Sequence, residues 1–155
     1  RQVQDQDLPA LVREALEETG LPAILLQLEI TEWAAMQNLD LTVETLIRLR
    51  DMGVEISIDD FGTSYSSLGY LKRFPVSSIK IDQSFVRDLP DDLDDAAIAN
   101  AIYAMAGSLG FSVIAEGVET QAQADFLSVM GCKEAQGYLY SKPVTATEFS
   151  KLLTK

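Results

Sequence analysis

Apolar residues recur along this chain at helical spacing and at strand spacing in turn. The pattern predicts helices at residues 8–20, 41–53, 67–73, 96–110, 120–131 and 145–153. It predicts strands at residues 23–30, 54–59, 77–82, 111–116 and 134–140. Because helices and strands alternate without interruption, the sequence predicts an α/β fold built on a parallel sheet.

Five consecutive units of strand and helix fit two architectures. One is an open, doubly wound sheet; the other is the later part of an eight-fold barrel, which usually needs about 250 residues. The length of 155 residues favours the open sheet. The chemistry at the strand ends favours the barrel.

Charged and polar side chains stand at the carboxyl ends of the predicted strands. In chain order they are Glu29 and Glu32, Asp59 and Asp60, Lys80 and Asp82, Glu116 and Glu119, and Gln136. Because parallel strands present their carboxyl ends at one edge, we expect these side chains to converge. Any single carboxylate could be a helix cap, but caps would vary among Ser, Thr, Asn and Asp. Acidic residues at four strand ends therefore indicate a site.

Clustered carboxylates repel one another unless cations lie between them, and oxygen ligands suit Mg²⁺ or Mn²⁺. In the pair Asp59 and Asp60, one carboxylate could bridge two ions while the other completes the coordination of the second ion. Two such ions would activate a water and neutralise the charge of a phosphoryl transition state. Lys80 could accept a proton from that water or simply hold it, and the sequence leaves both roles open.

Composition narrows the function classes. The formal net charge is −12, which disfavours binding to extended nucleic acid. With no histidine and one cysteine, Cys132, the chain has no internal disulfide and no His-based zinc site or triad. No apolar run approaches the roughly 20 residues of a membrane span. We therefore expect a cytoplasmic segment without membrane contact, although a parent protein tethered to a membrane would look the same.

Four ordered motifs carry a specific resemblance. The stretches LEITE, DDFGTSYSSLGYLKRFPVSSIKID, AEGVET and QGYLYSKP resemble those of the EAL domain, the bacterial phosphodiesterase of cyclic di-GMP. The resemblance implies a TIM-like (β/α)8 barrel with one antiparallel strand. It also implies hydrolysis of cyclic di-GMP to linear pGpG with two Mg²⁺ or Mn²⁺ ions, and a homodimer.

The resemblance implies metal ligands residue by residue. Glu29 matches one ligand, Asp59 matches the aspartate shared by both ions, and Asp60 matches the ligand of the second ion. Glu116 matches a further acidic residue of the metal and substrate site.

Three other residues match positions with different roles. Lys80 matches the lysine that contacts the catalytic water, and Gln136 matches a residue that places water or ligand. Glu32 matches the glutamate that anchors the loop after the aspartate pair, residues 61–67. That loop is either a mobile active-site loop or an ordinary turn, and its composition alone does not decide.

The signature Glu-Ala-Leu tripeptide of the family and the asparagine of its next motif are absent, and we expect both upstream of Arg1. Residues 14–16 read Glu-Ala-Leu, but they lie on a predicted helix and match by chance. We therefore expect residues 1–155 to be the C-terminal portion of one EAL domain, truncated to about five β/α units. We also expect little or no hydrolase activity from this segment alone.

Two other functions fit the residues less well. A non-hydrolytic cyclic di-GMP receptor or scaffold would often have lost part of the aspartate pair or the signature glutamate; the pair is present here, and the glutamate is expected upstream of Arg1. An open-sheet, Mg²⁺-dependent phosphatase would use an aspartate nucleophile and act on phosphate monoesters.

Overall fold

The computed structural model describes residues 7–63 and 68–153. Its helices are α1 (Leu8–Thr19), α2 (Glu32–Gln37), α3 (Leu39–Asp51), α4 (Leu68–Leu71), α5 (Leu93–Leu109), α6 (Gln121–Met130) and α7 (Ala146–Leu152). Its strands are β1 (Gln27–Thr31), β2 (Glu55–Phe61), β3 (Ser78–Ile81), β4 (Ser112–Ala115) and β5 (Glu134–Ala135). Short 3₁₀ helices span Ala23–Leu25 and Gln83–Phe85.

The strands form one parallel sheet in the order β1-β2-β3-β4-β5. Every strand therefore lies beside its neighbour in the chain. A doubly wound sheet reverses its strand order at a switch point, whereas a barrel adds each strand on the same side. The sequential order excludes the open doubly wound alternative for the described residues and confirms the arrangement of a partial TIM-like barrel.

Alternation along the central strands separates the core from the polar face of the sheet. Ile56 and Ile58 of β2 and Ile79 and Ile81 of β3 are at most 1% exposed. They belong to one apolar cluster with residues of α3, including Leu49. Burying each such side chain is worth about 1.5 to 3 kcal/mol. Because successive side chains of a strand point to opposite faces, the intervening positions carry polar groups to the other side of the sheet.

Helix ends are fixed by the polar residues that precede them. Asp92 caps α5, and its carboxylate accepts hydrogen bonds from the backbone N–H groups of Asp94 and Asp95. Thr120 and Gln123 form a capping box at the start of α6. Each cap satisfies backbone donors that the first turn of a helix leaves free.

Three predictions of secondary structure were inaccurate. The strand predicted at 23–30 begins only at Gln27, because residues 23–25 form a 3₁₀ turn after Pro22. Helix α2 was not predicted, since six residues are too few to show a helical period. The strand predicted at 134–140 ends at Ala135.

The early end of β5 follows from a close backbone contact. Gly137 has a φ of 156°, and a Cβ atom there would overlap the backbone of Val118. The N–H of Val118 donates to the carbonyl of Gln136, and the N–H of Leu139 donates to the carbonyl of Val118. The chain therefore leaves the sheet after Ala135 and wraps around Val118.

Candidate active site

A buried lysine lies among three carboxylates at the carboxyl ends of the strands. Lys80 of β3 is 3% exposed. Its Nζ lies 2.6 Å from Glu116 Oε1, 2.7 Å from Glu29 Oε1 and 3.2 Å from Asp59 Oδ1. These residues come from or directly follow four adjacent strands, so the sheet order brings them together.

The carboxylates keep this lysine charged. Burial by itself lowers the pKa of Lys80, but the hydrogen bonds to Glu116 and Glu29 outweigh it and raise the pKa above its usual value. In the arrangement seen here, Lys80 is therefore a cationic hydrogen-bond donor.

A β-bulge shapes the part of the site that β2 provides. Ile58 pairs with Ile79 and Phe61 pairs with Ile81, so Asp59 and Asp60 together lie opposite the single residue Lys80. Asp60 has a φ of 52°, in the left-handed region that aspartate tolerates better than most residues. Neighbouring side chains of a regular strand would point to opposite faces. The bulge instead places carboxylate oxygens of Asp59, Asp60 and Glu116 within 4.8 Å of one another.

Burial and neighbouring charges shift the pKa of two carboxyl groups in this cluster. Burial and the neighbouring Asp59 and Asp82 raise the pKa of Asp60. Burial also raises the pKa of Glu116, an effect that Lys80 opposes. The cluster therefore holds more negative charge than the single lysine can balance.

The donor set fits a divalent cation. Asp59 Oδ1 is buried and, although it lies 3.2 Å from Lys80 Nζ, it makes no hydrogen bond of good geometry within the described residues. Because Lys80 shares its single charge among three carboxylates, a buried carboxylate oxygen without such a bond is costly unless further positive charge reaches the cluster. Carboxylate oxygens are the ligands that Mg²⁺ and Mn²⁺ prefer. The residues present therefore match the hard-metal chemistry expected from the sequence.

Gln136 lies directly after β5 and contacts the cluster. Its Nε2 donates a hydrogen bond of 2.8 Å to Glu116 Oε1, the oxygen that also meets Lys80. Glu116 is thus held from two sides, by a cation and by an amide.

Glu32 connects the beginning of α2 to the loop after β2. It is 2% exposed, and its Oε2 accepts the backbone N–H of Gly62 at 3.1 Å. Gly62 has a φ of 97°, and a Cβ atom there would lie 2.9 Å from Phe85 Cε2. The structure thus brings Glu32 to the first part of the predicted loop, whereas residues 64–67 lie outside the described residues.

A cavity of about 750 Å³ opens beside the carboxylates. Among the residues lining it are Asp82 and Glu119, which the sequence analysis placed at strand ends without a specific role. Tyr138 and Lys142 also line it, and Lys142 Nζ lies 5.6 Å from the centre of the Tyr138 ring. Tyr138 taken alone is more typical of packing than of nucleobase contact, and Lys142 has no role predicted from the sequence, although the motif QGYLYSKP contains both. The cavity therefore combines an acidic floor with one lysine suited to an anionic ligand.

Similarity to a family model and to curated proteins agrees with the resemblance found in the sequence. A family model described as EAL domain matches residues 1–143. The chain is 51% identical over 142 residues to the cyclic di-GMP phosphodiesterase NbdA of Pseudomonas aeruginosa, covering 92% of this chain and 18% of that protein. It spans about a fifth of the length of the curated relatives that it matches.

Solved structures show the same fold. The PaMucR phosphodiesterase in complex with c-di-GMP superposes with a TM-score of 0.91 and 47% identity, covering 95% of this chain and 60% of that chain. A manganese and cyclic di-GMP complex of Klebsiella pneumoniae BlrP1 gives a TM-score of 0.83 and 34% identity, covering 90% of this chain and 36% of that one.

Proposed function

The chain belongs to the EAL domain family, and on that premise we propose that it provides metal- and substrate-binding residues of a cyclic di-GMP phosphodiesterase. The reaction is hydrolysis of one phosphodiester bond of cyclic di-GMP, which gives linear pGpG. The observation that carries the proposal is the convergence of Glu29, Asp59, Asp60 and Glu116 around Lys80 beside a cavity. Two relatives with this fold are named as complexes with the same cyclic dinucleotide.

Four carboxylates would hold two Mg²⁺ or Mn²⁺ ions: Glu29, Asp59, Asp60 and Glu116. Support comes from the buried Asp59 oxygen, which makes no hydrogen bond of good geometry to any described residue, and from the all-oxygen donor set. When bound, such ions lower the pKa of water and stabilise negative charge on phosphoryl oxygens. The manganese named in the BlrP1 complex agrees with this choice of metal.

The protein's own residues position the reacting groups. Lys80 donates to Glu29 and Glu116, and its third N–H, which makes no bond of good geometry to Asp59 among the described residues, would donate to the attacking water and hold it in place. Gln136 fixes Glu116 by a hydrogen bond from its amide, so that this carboxylate keeps one orientation. Glu32 orders the first residues of the loop after Asp60 through Gly62. Lys142, at the cavity wall, offsets the charge of a bound phosphate.

We propose that residues 1–155 form the C-terminal portion of a single EAL domain. One continuous sheet and the 60% coverage of the PaMucR chain support this. A full (β/α)8 barrel has eight strands, so we expect the segment by itself to have little or no activity.

Assembly and location stay predictions. We expect a homodimer and a cytoplasmic position for the segment. No helix among the described residues combines the length and apolar character needed to cross a bilayer.

The alternative function is a receptor that binds cyclic di-GMP without hydrolysing it. Asp59 and Asp60 are both present and their carboxylates converge, which favours the enzyme. The two functions differ in turnover and not in binding.

The test compares binding and turnover in the full-length protein that carries this chain. Wild type, Asp59→Asn and the control Asp51→Asn are incubated with cyclic di-GMP and Mg²⁺, and products are separated by chromatography. Asp51 is an exposed residue at the end of α3. If the protein is an enzyme, wild type and Asp51→Asn form pGpG, and Asp59→Asn forms it at least about a hundredfold more slowly. Binding of cyclic di-GMP by wild type without pGpG would support the receptor.

A further inference from the structure

A glutamine in the first turn of α6 links two loops that carry residues of the site. Gln123 is 4% exposed. Its Oε1 accepts the N–H groups of Glu119 at 2.8 Å and Thr120 at 2.9 Å, and its Nε2 donates to the carbonyl of Arg87 at 2.7 Å. One buried side chain thus joins the loop between β4 and α6 to the connection between β3 and α5.

Both loops begin at the candidate site. The first starts with Glu116 and contains Glu119; the second starts with Asp82, directly after the end of β3 and two residues after Lys80. They also touch near the site, where a Cβ atom on Gly117 would lie 2.5 Å from Gln83 Cβ. The contact between Gln123 and Arg87 is therefore a second point that fixes one loop relative to the other.

Hydrogen bonds and one buried side chain connect Arg87 to the beginning of the second loop. The N–H of Arg87 donates to the carbonyl of Gln83 at 2.9 Å, and Val86 between them is fully buried. Asp82 accepts the N–H of Ser84 at the start of the same short turn. A shift of the Arg87 carbonyl would therefore move the turn that follows Lys80 and Asp82.

Helix capping does not account for the choice of glutamine at this position. A capping box needs only an acceptor at the third helical residue, and Glu serves there as well as Gln. The bond to the Arg87 carbonyl needs a donor, and an ionised Glu has none. Only an amide satisfies two N–H groups and one carbonyl at the same time.

We propose that Gln123 is a positioning residue for the reaction, an inference that rests on the phosphodiesterase function proposed above. By tying the two loops together, Gln123 sets the distance of Glu119 from Asp82, both of which line the cavity, whereas the pairing of β3 with β4 already fixes Glu116 beside Lys80. It touches neither substrate nor metal, so its effect falls on the geometry of the reacting groups more than on substrate binding.

The test uses the full-length protein with Gln123→Glu, which keeps the cap and removes the donor. Gln121→Glu is the matched control, because it makes the same chemical change in the same helical turn. Gln121 is exposed, and its Nε2 donates to Asp125 Oδ1 at 2.8 Å on the same helix. Gln123→Ala is a third variant that removes both the cap and the tie.

Two readouts are measured: steady-state hydrolysis of cyclic di-GMP and backbone hydrogen exchange. For Gln123→Glu we expect kcat to fall about tenfold with KM within about twofold, the size of one lost hydrogen bond. We expect faster exchange over residues 87–92 and unchanged exchange at Glu119 and Thr120. Gln121→Glu should match wild type in both readouts. In Gln123→Ala, backbone amides should exchange faster both over residues 87–92 and at Glu119 and Thr120.

The two readouts separate this proposal from the proposed function. If wild type does not hydrolyse cyclic di-GMP, the function fails, and the exchange pattern alone decides whether Gln123 ties the loops. Equal kcat values for Gln123→Glu and Gln121→Glu in an active enzyme would overturn the positioning role. Unchanged exchange over residues 87–92 in Gln123→Glu would overturn it as well.

Discussion

Asp59 and Asp60 are neighbours on one parallel strand, yet carboxylate oxygens of both lie within 4.8 Å of an oxygen of Glu116. A regular strand cannot do this, because its successive side chains point to opposite faces. The bulge opposite Lys80 and the left-handed conformation of Asp60 make it possible. The backbone of β2 is therefore as much a part of the candidate metal site as its carboxylates are.

The conformation of Asp60 predicts a difference between two substitutions that remove the same charge. Asn tolerates the left-handed region, whereas Ala pays about 1 kcal/mol or more there. We expect Asp60→Ala to be less stable than Asp60→Asn by about 1 kcal/mol in urea unfolding. Both variants remove the charge repulsion between Asp60 and Asp59, so this repulsion does not contribute to the difference in stability between them. Equal stabilities would show that the bulge does not strain this position.

Replacing Lys80 by Met should leave Glu29, Asp59 and Glu116 without their shared cation. Breaking a buried ion pair costs about 3 to 5 kcal/mol, and partial exposure of these carboxylates reduces the cost to about 1 to 3 kcal/mol. Added Mn²⁺ should recover part of the loss. The measurement is urea unfolding with and without Mn²⁺, and exposed Lys72→Met is the control. A Lys80→Met variant as stable as this control would contradict the electrostatic role.

Gly137 should not tolerate a side chain. Its φ of 156° and its contact with the backbone of Val118 leave no space for a Cβ atom. We expect Gly137→Ala to lower the free energy of unfolding by about 2 to 4 kcal/mol. Gly107 in α5 has nothing within 4 Å of its Cβ position, so Gly107→Ala should stabilise by about 0.4 to 1 kcal/mol. If Gly137→Ala unfolded at a higher temperature than Gly107→Ala, the backbone contact of Gly137 could not be the reason why β5 ends at Ala135.

Cys132 should make stability fall at alkaline pH. Burial raises the pKa of its thiol above the usual value, so the folded state favours the neutral form. The stabilising contribution is complete below the unfolded pKa of about 8.5 and is lost as pH rises through the folded value. We expect the stability of wild type relative to Cys132→Ala to decline above about pH 8.5 in urea unfolding. A difference that stays constant up to pH 10 would count against burial of the thiol.

The order of helices and strands and the convergence of charged residues could be predicted from the sequence. Periodicity located α1, α3 and α6, and the rule for parallel strands placed Glu29, Asp59, Lys80 and Glu116 at one edge. Local pattern decides such features, so a single sequence reveals them.

Features that depend on tertiary contacts could not be predicted. The bulge at Asp60 lengthens the spacing of buried apolar residues from two between Ile56 and Ile58 to three between Ile58 and Phe61, a change that the end of a strand would also give. Gln123 lies in a helical turn where polar residues usually face solvent, and only the distant carbonyl of Arg87 explains its burial. The strand predicted beyond Ala135 failed because the backbone of Val118 occupies the path that it would follow.

The most direct test of the central claim is a metal titration of turnover. The full-length protein is freed of metal with a chelator, and pGpG formation from cyclic di-GMP is measured as Mn²⁺ is added, for wild type and Asp59→Asn. We predict no detectable turnover without metal, saturable activation of wild type, and turnover reduced at least about a hundredfold in Asp59→Asn at all Mn²⁺ concentrations. Turnover by wild type that persists without metal, or activation of Asp59→Asn equal to that of wild type, would contradict the proposal that Glu29, Asp59, Asp60 and Glu116 bind the metal.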